Sequence, residues 1–312
     1  MITPNDSSSS RDPEWKSENC EKDEHSKMFE NGASPRTLGK GNISFERVVL
    51  TLVMLAIAAG MFVPFIWMVL SSFKPYQEIL SLKPTLWPKG FTLGNYSTLT
   101  GELPFLRYFL NSAGVSSVVT LVILFTSSLC GYVFAKFDFA FKELIFMTII
   151  SSMMVPFAVV VLPLYFLIAR LGMLDTYLGL VIPFMVNAFG IFLMRQFMEG
   201  IPRDLVDAGR VDGAGEMWIY WRIMLPLSLN ALTALGVFVF LWSWNSLWWP
   251  FMIISQSELR TLPLGIATLA WEYATRVDLV ITGATIGVVP ILILFALMTR
   301  TIVRGVALTG MK

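Results

Sequence analysis

Residues 195–226 read RQFMEGIPRDLVDAGRVDGAGEMWIYWRIMLP, and the first 28 of them carry nine charges: Arg195, Glu199, Arg203, Asp204, Asp207, Arg210, Asp212, Glu216 and Arg222. The chain around them is of another character. Of its 312 residues 55% are hydrophobic and only 14% charged, with a mean hydropathy of +0.66, more apolar than a water-soluble fold of this size tolerates. At roughly 2.5–3.5 kcal/mol per charge at mid-bilayer, holding nine charges in lipid costs on the order of 20–30 kcal/mol. The stretch must therefore leave the membrane. It stays helical in pattern, since Leu205, Ala208 and Val211, then Met217, Tyr220, Ile223 and Met224, recur at helical spacing around an Asp212-Gly213 turn. Asp212 is expected to accept hydrogen bonds from the amides opening the second helix, and Gly213 to supply the positive φ or close contact of a tight corner. The expected product is a helix, a corner and a second helix projecting from the membrane; an amphipathic hairpin lying on the lipid would give the same pattern.

Outward from this stretch lie six apolar runs of spanning length, near 48–70, 112–135, 144–168, 178–194, 229–255 and 280–299. A bilayer core about 30 Å thick needs roughly 20 residues at 1.5 Å rise. None of the six contains Asp, Glu, Lys, Arg or His, and Pro64, Pro156, Pro163, Pro183, Pro226, Pro250 and Pro290 fall in them or at their ends. Prolines free backbone carbonyls that must face protein or water, which suits helices lining a cavity or simply kinked for packing. With the N-terminus inside, 16 of the 23 Lys and Arg fall on the cytoplasmic side and 7 outside, so the chain is expected to keep both termini in the cytoplasm. Residues 1–47 hold nine acidic and seven basic side chains with little apolar periodicity and are expected to form a disordered cytoplasmic tail rather than a cleaved signal peptide.

The remaining composition restricts the chemistry. A net charge of +1 gives no field for nucleic acid. Two cysteines, Cys20 and Cys130, and a single histidine, His25, cannot build a metal cage or disulfide framework, so no metal site and no catalytic residues are expected. Gly39-Lys40-Gly41 has neither the spacing nor the following hydroxyl of a phosphate-binding loop, so ATP and Mg must be bound by another polypeptide. A proton- or sodium-coupled secondary transporter is the principal rival class; spans free of acidic residues and histidine disfavour a proton relay, although sodium can be held by carbonyls alone.

Ile201-Pro202-Arg203-Asp204-Leu205-Val206-Asp207-Ala208-Gly209-Arg210-Val211-Asp212-Gly213-Ala214, followed by Ile223-Met224-Leu225-Pro226, closely resembles the EAA loop of permease subunits of ATP-binding-cassette importers. Pro64-Phe65-Ile66-Trp67-Met68, Ser71-Ser72-Phe73-Lys74, Tyr108 with Asn111-Ser112, Met154-Val155-Pro156, Leu162-Pro163-Leu164-Tyr165, Leu171-Gly172-Met173-Leu174-Asp175-Thr176, Arg195-Gln196-Phe197 and Trp244-Asn245 resemble the MalG-like carbohydrate branch in the expected order. The resemblance covers about residues 44–312. It implies an all-α membrane protein with a six-helix permease domain over 48–312, the MetI-like fold, and a cytoplasmic EAA coupling loop over 201–226. It also implies one half of a sugar path, shared with a second permease subunit, driven by two ATPase subunits and supplied by an extracytoplasmic solute-binding protein. Asp207, Ala208, Gly209, Asp212, Gly213, Ala214, Leu225 and Pro226 would couple to the ATPase. The loop 71–111 and the segment 256–279 would face the binding protein. Same-fold importers of a glycerol phosphodiester or polyamine share this pattern. The chain departs from it at Asp207, where Glu is usual, at Gly209, where Ala is usual, and in its longer tail.

In the fifth run, Trp242, Asn245 and Trp249 fall within about 60° of one another at 100° per residue. This face is expected to stack on a sugar ring and hydrogen-bond its hydroxyls; an outer tryptophan belt with packing between subunits is the competing account.

Overall fold

The computed structural model describes residues 45–81, 83, 85–101, 103–272 and 276–309, and among these every regular element is helical. By contacts the chain forms two units, Met1–Met61 and Phe62–Lys312, and the second contains the core. The expectation for the N-terminal tail falls mainly on residues 1–44, which lie outside the described residues; helix α1 starts at Phe45 and runs to Ser71.

Among the described residues three helices are long and apolar enough to cross a membrane: Val48–Ser71 of α1, Phe105–Lys136 (α2) and Val277–Ala296, the first part of a last helix that runs to Thr309. The other three expected spans are not continuous helices, and the first two break for local reasons. The run at 144–168 divides into α3 (Lys142–Ser151) and α4 (Phe157–Arg170), bent by 101°. Before Pro156, Val155 takes extended backbone (φ −82°, ψ 116°), the conformation that a following proline favours over the helical one. The run at 178–194 divides into α5 (Tyr177–Val181, continued as a tight turn to Phe184) and α6 (Ala188–Glu199), bent by 45°. Here each piece is separately capped: Thr176 Oγ1 accepts the Gly179 N–H at 3.1 Å, and Asn187 Oδ1 the Gly190 N–H at 2.8 Å.

After α6 comes the charged stretch, with α7 over Arg203–Val211 and α8 over Glu216–Ile219, which continues through a widened π turn to Leu227. A 77° bend at Ser228 leads into α9, Leu229–Trp244. The fifth run then stops: α10 restarts at Trp248 and ends at Ile253. An apolar helix α11 (Leu262–Glu272) precedes α12 (Val277–Thr309). Up to six spans result if each bent pair is one crossing.

The core is set by α2 against α6. A Cβ added to Gly131 would lie 2.6 Å from Met194 Cβ, and one added to Gly190 would lie 2.3 Å from Ser127 Oγ. Small residues at such crossings let two backbones approach where the alternative neighbour is only lipid. Met194, Met198, Val119, Ile123 and, from α9, Leu235 and Val239 close around this crossing. Outward faces remain apolar, with Leu121, Val159, Phe166 and Leu178 exposed. At the end of α6, Arg195 is buried on the Phe146 ring at 3.9 Å and reaches Glu143 at 2.8 Å, which fastens α3 to α6.

The turn from α2 to α3 holds Phe141 in the left-handed region, at φ 62°, with 74% of its surface exposed. A non-glycine residue there costs about 1–2 kcal/mol that no packing of its ring offsets. Phe141→Gly should raise the thermal unfolding midpoint of the detergent-solubilised protein, whereas Phe141→Val should lower it; equal midpoints for the two variants would show that the strain is not stored there.

Candidate functional site

The elbow formed by α7, α8 and its continuation to Leu227 holds Asp207, Ala208, Gly209, Asp212, Gly213, Ala214, Leu225 and Pro226. Helix α7 closes with the Gly213 N–H on the Arg210 carbonyl at 3.0 Å and the Ala214 N–H on the Gly209 carbonyl at 2.9 Å. This double closure needs a left-handed residue just past the helix, and Gly213 supplies it at φ 80°. The expected cap differs. Asp212 lies at the end of α7 in helical backbone, while α8 opens at Gly215 in extended backbone with no side-chain cap. Asp212 is three residues too early to cap those amides, because the glycine turn moves the cap position to Gly215.

Gly209 is buried, and an added Cβ would meet Ile219 Cγ1 at 3.2 Å. Its departure from Ala is thus a packing choice, bringing α7 down onto Ile219 and Ile223. Beside it opens a groove of about 690 Å³, with Leu205, Ala208, Gly213, Ala214 and Trp218 among its walls. Asp207 is not among the groove's walls: it lies on the opposite side of α7 from Leu205, Gly209 and Asp212, exposed and bound by Arg210 at 3.0 Å; Arg210 in turn reaches Glu216 at 2.7 Å. Leu225 packs against the main core, and Pro226 is exposed within the turn Leu225–Leu227. These two shape the bend into α9 rather than the groove. In the loop before α3, Lys142 first of all, with Arg203 from the start of α7, holds the Asp138 carboxyl below the usual carboxylate range. The attraction of this exposed pair is present above that range and lost as acid protonates Asp138.

A second set, at the other end of α2, enters the sequence reading only as part of the resemblance, with no role given to it. Tyr108, Asn111, Ser112 and Asp175 all fasten one segment, residues 253–262. Asn111 Nδ2 donates to the Glu258 and Arg260 carbonyls at 2.8 and 2.9 Å, and its Oδ1 accepts from Tyr177 OH at 2.7 Å. Ser112 Oγ accepts the Leu262 N–H at 2.7 Å, and Tyr108 OH lies 2.9 Å from Ser257 Oγ. Asp175, left-handed at φ 54°, accepts the Ser255 and Gln256 N–H groups at 2.6 and 3.0 Å. The signal was available, since these polar residues stand in or beside apolar runs with no partner nearby in sequence.

The expected aromatic-amide face does not form as a helical face. The break at 245–247 interrupts the 100° progression, so Trp249 belongs to α10. It is buried, its Nε1 donating to the Gly179 carbonyl at 3.0 Å, and its ring stands edge-on to Phe184 at 5.8 Å. Trp242 meets the same Phe184 ring at 5.0 Å. The cavity between them, with Ser112, Ser116 and Thr261, measures about 20 Å³. That is a space for a water molecule, against roughly 300–1,000 Å³ for small-molecule pockets. Asn245 is exposed and donates to the Leu241 carbonyl of its own helix at 2.8 Å. In this conformation the three side chains present no common face.

Residues 124–307 match the family described as binding-protein-dependent transport system inner membrane component. The arabinooligosaccharides transport system permease protein AraQ of Bacillus subtilis (strain 168) is 34% identical over 272 residues, 86% of this chain and 97% of that one. The lactose transport system permease protein LacG of Rhizobium radiobacter is 32% identical, over 78% of this chain and 88% of its own. Among solved structures, a bacterial ABC transporter involved in the import of the acidic polysaccharide alginate has a chain that superposes with a TM-score of 0.73 at 20% identity. That match covers 81% of this chain and 95% of that one.

Trp249→Phe should destabilise the protein by roughly 1–3 kcal/mol, because it leaves a buried carbonyl unsatisfied, and Asn245→Ala by less than about 0.5 kcal/mol. Thermal unfolding in detergent checks both, and a neutral Trp249→Phe would remove the packing role given to its N–H.

Proposed function

Because the chain belongs to the binding-protein-dependent transport system inner membrane component family, we propose that it is the permease subunit of an ATP-driven sugar importer. The observation that carries the reading is the 34% identity extending over 97% of AraQ, with the family match running through the elbow and both of its flanking helices. Residues 48–312 are then a six-span permease domain of the MetI-like fold, set in the cell membrane with both termini cytoplasmic. The elbow over 201–226 is the EAA loop.

In this reading the groove along Ala208, Gly213 and Ala214 receives a surface of the ATPase, with Asp207 and Asp212 offering carboxylates to its basic side chains. The local geometry supports this. The glycine turn removes side-chain bulk at the corner, and Asp212 and Gly213 both line the groove. Closure of two ATPase subunits, which bind ATP and Mg, moves the elbow as a rigid body. A second permease subunit completes the path. The solute-binding protein docks at the opposite end, on the loop 71–111 and on the segment 256–279, whose first residues the Asn111 and Ser112 bonds fasten. Sugar passes between the permeases, and Trp242 and Asn245, the two exposed members of the expected face, remain its candidate contacts in a more open state.

Two measurements test the reading. Gly213→Asp keeps a residue type that tolerates left-handed backbone but sets a carboxylate in the groove. The variant should insert in the membrane normally yet lose co-purification of the ATPase; normal co-purification with normal uptake would remove the docking role. The complex isolated through this chain, reconstituted in vesicles, should accumulate sugar only with ATP on the elbow side and binding protein on the other. Accumulation driven by an ion gradient, with no nucleotide hydrolase present, would overturn the class.

A further inference from the structure

Three side chains at successive turns on one face of α2, Ser128, Tyr132 and Lys136, all bond the elbow. Ser128 Oγ lies 2.7 Å from Tyr220 OH. Tyr132 OH donates to Glu216 Oε2 at 2.7 Å. Lys136 Nζ donates to the Ile201 carbonyl. The first two rungs pair residues four apart on α2 with residues four apart on the elbow in opposite order, so the two helices run antiparallel in a fixed register. Ser128, Tyr132, Lys136 and Tyr220 are all buried. Sliding or turning either helix would take these partners from the buried Tyr132, Lys136 and Tyr220, whereas Ser128 keeps the Phe125 carbonyl of its own helix at 3.1 Å. The ladder continues onto α7, since Glu216 Oε1 accepts from Arg210 Nε at 2.7 Å and Arg210 Nη1 donates to Asp207 at 3.0 Å. By contrast, Arg203 reaches Asp138 at 3.4 Å in an exposed pair of the kind that contributes little.

We propose that Ser128, Tyr132 and Glu216 are positioning residues that lock the elbow to α2, so that force delivered to the elbow moves α2 in step with it. Apolar packing alone would hold the helices together; the hydrogen-bonded rungs add register, which a lever needs and a mere contact does not. The proposal rests on the elbow being the ATPase docking element.

The test uses the assembled complex in nanodiscs, in a Cys20→Ser/Cys130→Ser background. Spin labels are placed through Met217→Cys and Leu121→Cys, both exposed positions, 54% and 66%. Without the rung substitutions, the label distance should be the same in the nucleotide-free and the ATP-bound, vanadate-trapped complex. Tyr132→Phe, and more so Tyr132→Phe with Ser128→Ala, should retain the ATPase but acquire on trapping a second population displaced by about 5 Å, one helical turn. Ser112→Ala, which removes a bond at the far end of α2, lowers stability and should leave the distance single. A distance that already changes on trapping with the rungs intact overturns the lock, as do rung variants that stay single. Failure of the ATPase to co-purify even with the rungs intact overturns the docking reading instead.

Discussion

The backbone contact between α2 and α6 at Gly131 and Gly190 is the constraint on which the other placements depend. With room for no Cβ at either position, the two helices meet closely enough for Met194 and Met198 to be fully enclosed. In a bilayer, apolar side chains gain little by turning away from lipid, so association relies on close fit and on hydrogen bonds. The α2–α6 crossing supplies the fit. It carries the elbow, which follows α6 directly, and it gives α9 a surface on which Leu235 and Val239 can lie.

Much of the membrane architecture was legible because length and hydropathy are one-dimensional quantities. The runs at 48–70, 112–135 and 280–299 became parts of α1, α2 and α12. The other three runs read as spans and are interrupted, two as bent pairs and the fifth by the break after Trp244, since hydropathy does not register direction. Pro156 was visible, but a proline inside an apolar run signals anything from a mild kink, as at Pro163 within α4, to the 101° break at Val155. What decides between them is whether the freed backbone groups find partners, and that is a tertiary matter.

At the elbow the glycine turn was readable because Asp-Gly after a helical pattern has few other uses. The Asp212 cap was not, because a glycine closure adds residues between the two helices and moves the opening to Gly215. Trp249 shows the opposite failure. A helical projection assumes an unbroken helix, and nothing in the residues Asn245, Ser246 and Leu247 announces the interruption as a proline would. The rung at Ser128 escaped notice because a serine or threonine hydroxyl in an apolar helix is usually satisfied by its own backbone, as Thr120 is by the Ser116 carbonyl, and that at Tyr132 because its partner, Glu216, is distant in sequence.

Helix α2 is bonded near both ends, to the segment 253–262 through Tyr108, Asn111 and Ser112 and to the elbow through Ser128, Tyr132 and Lys136. From Ser112 to Ser128 is about 24 Å of α-helix, an element that hardly stretches. Thermodynamic reciprocity then has a concrete meaning here: if occupancy at one end biases the tilt of this shaft, the other end must feel the same free energy in return. A docked partner at the far end and a nucleotide state at the elbow would each report on the other, without any message having to cross the lipid-facing helices.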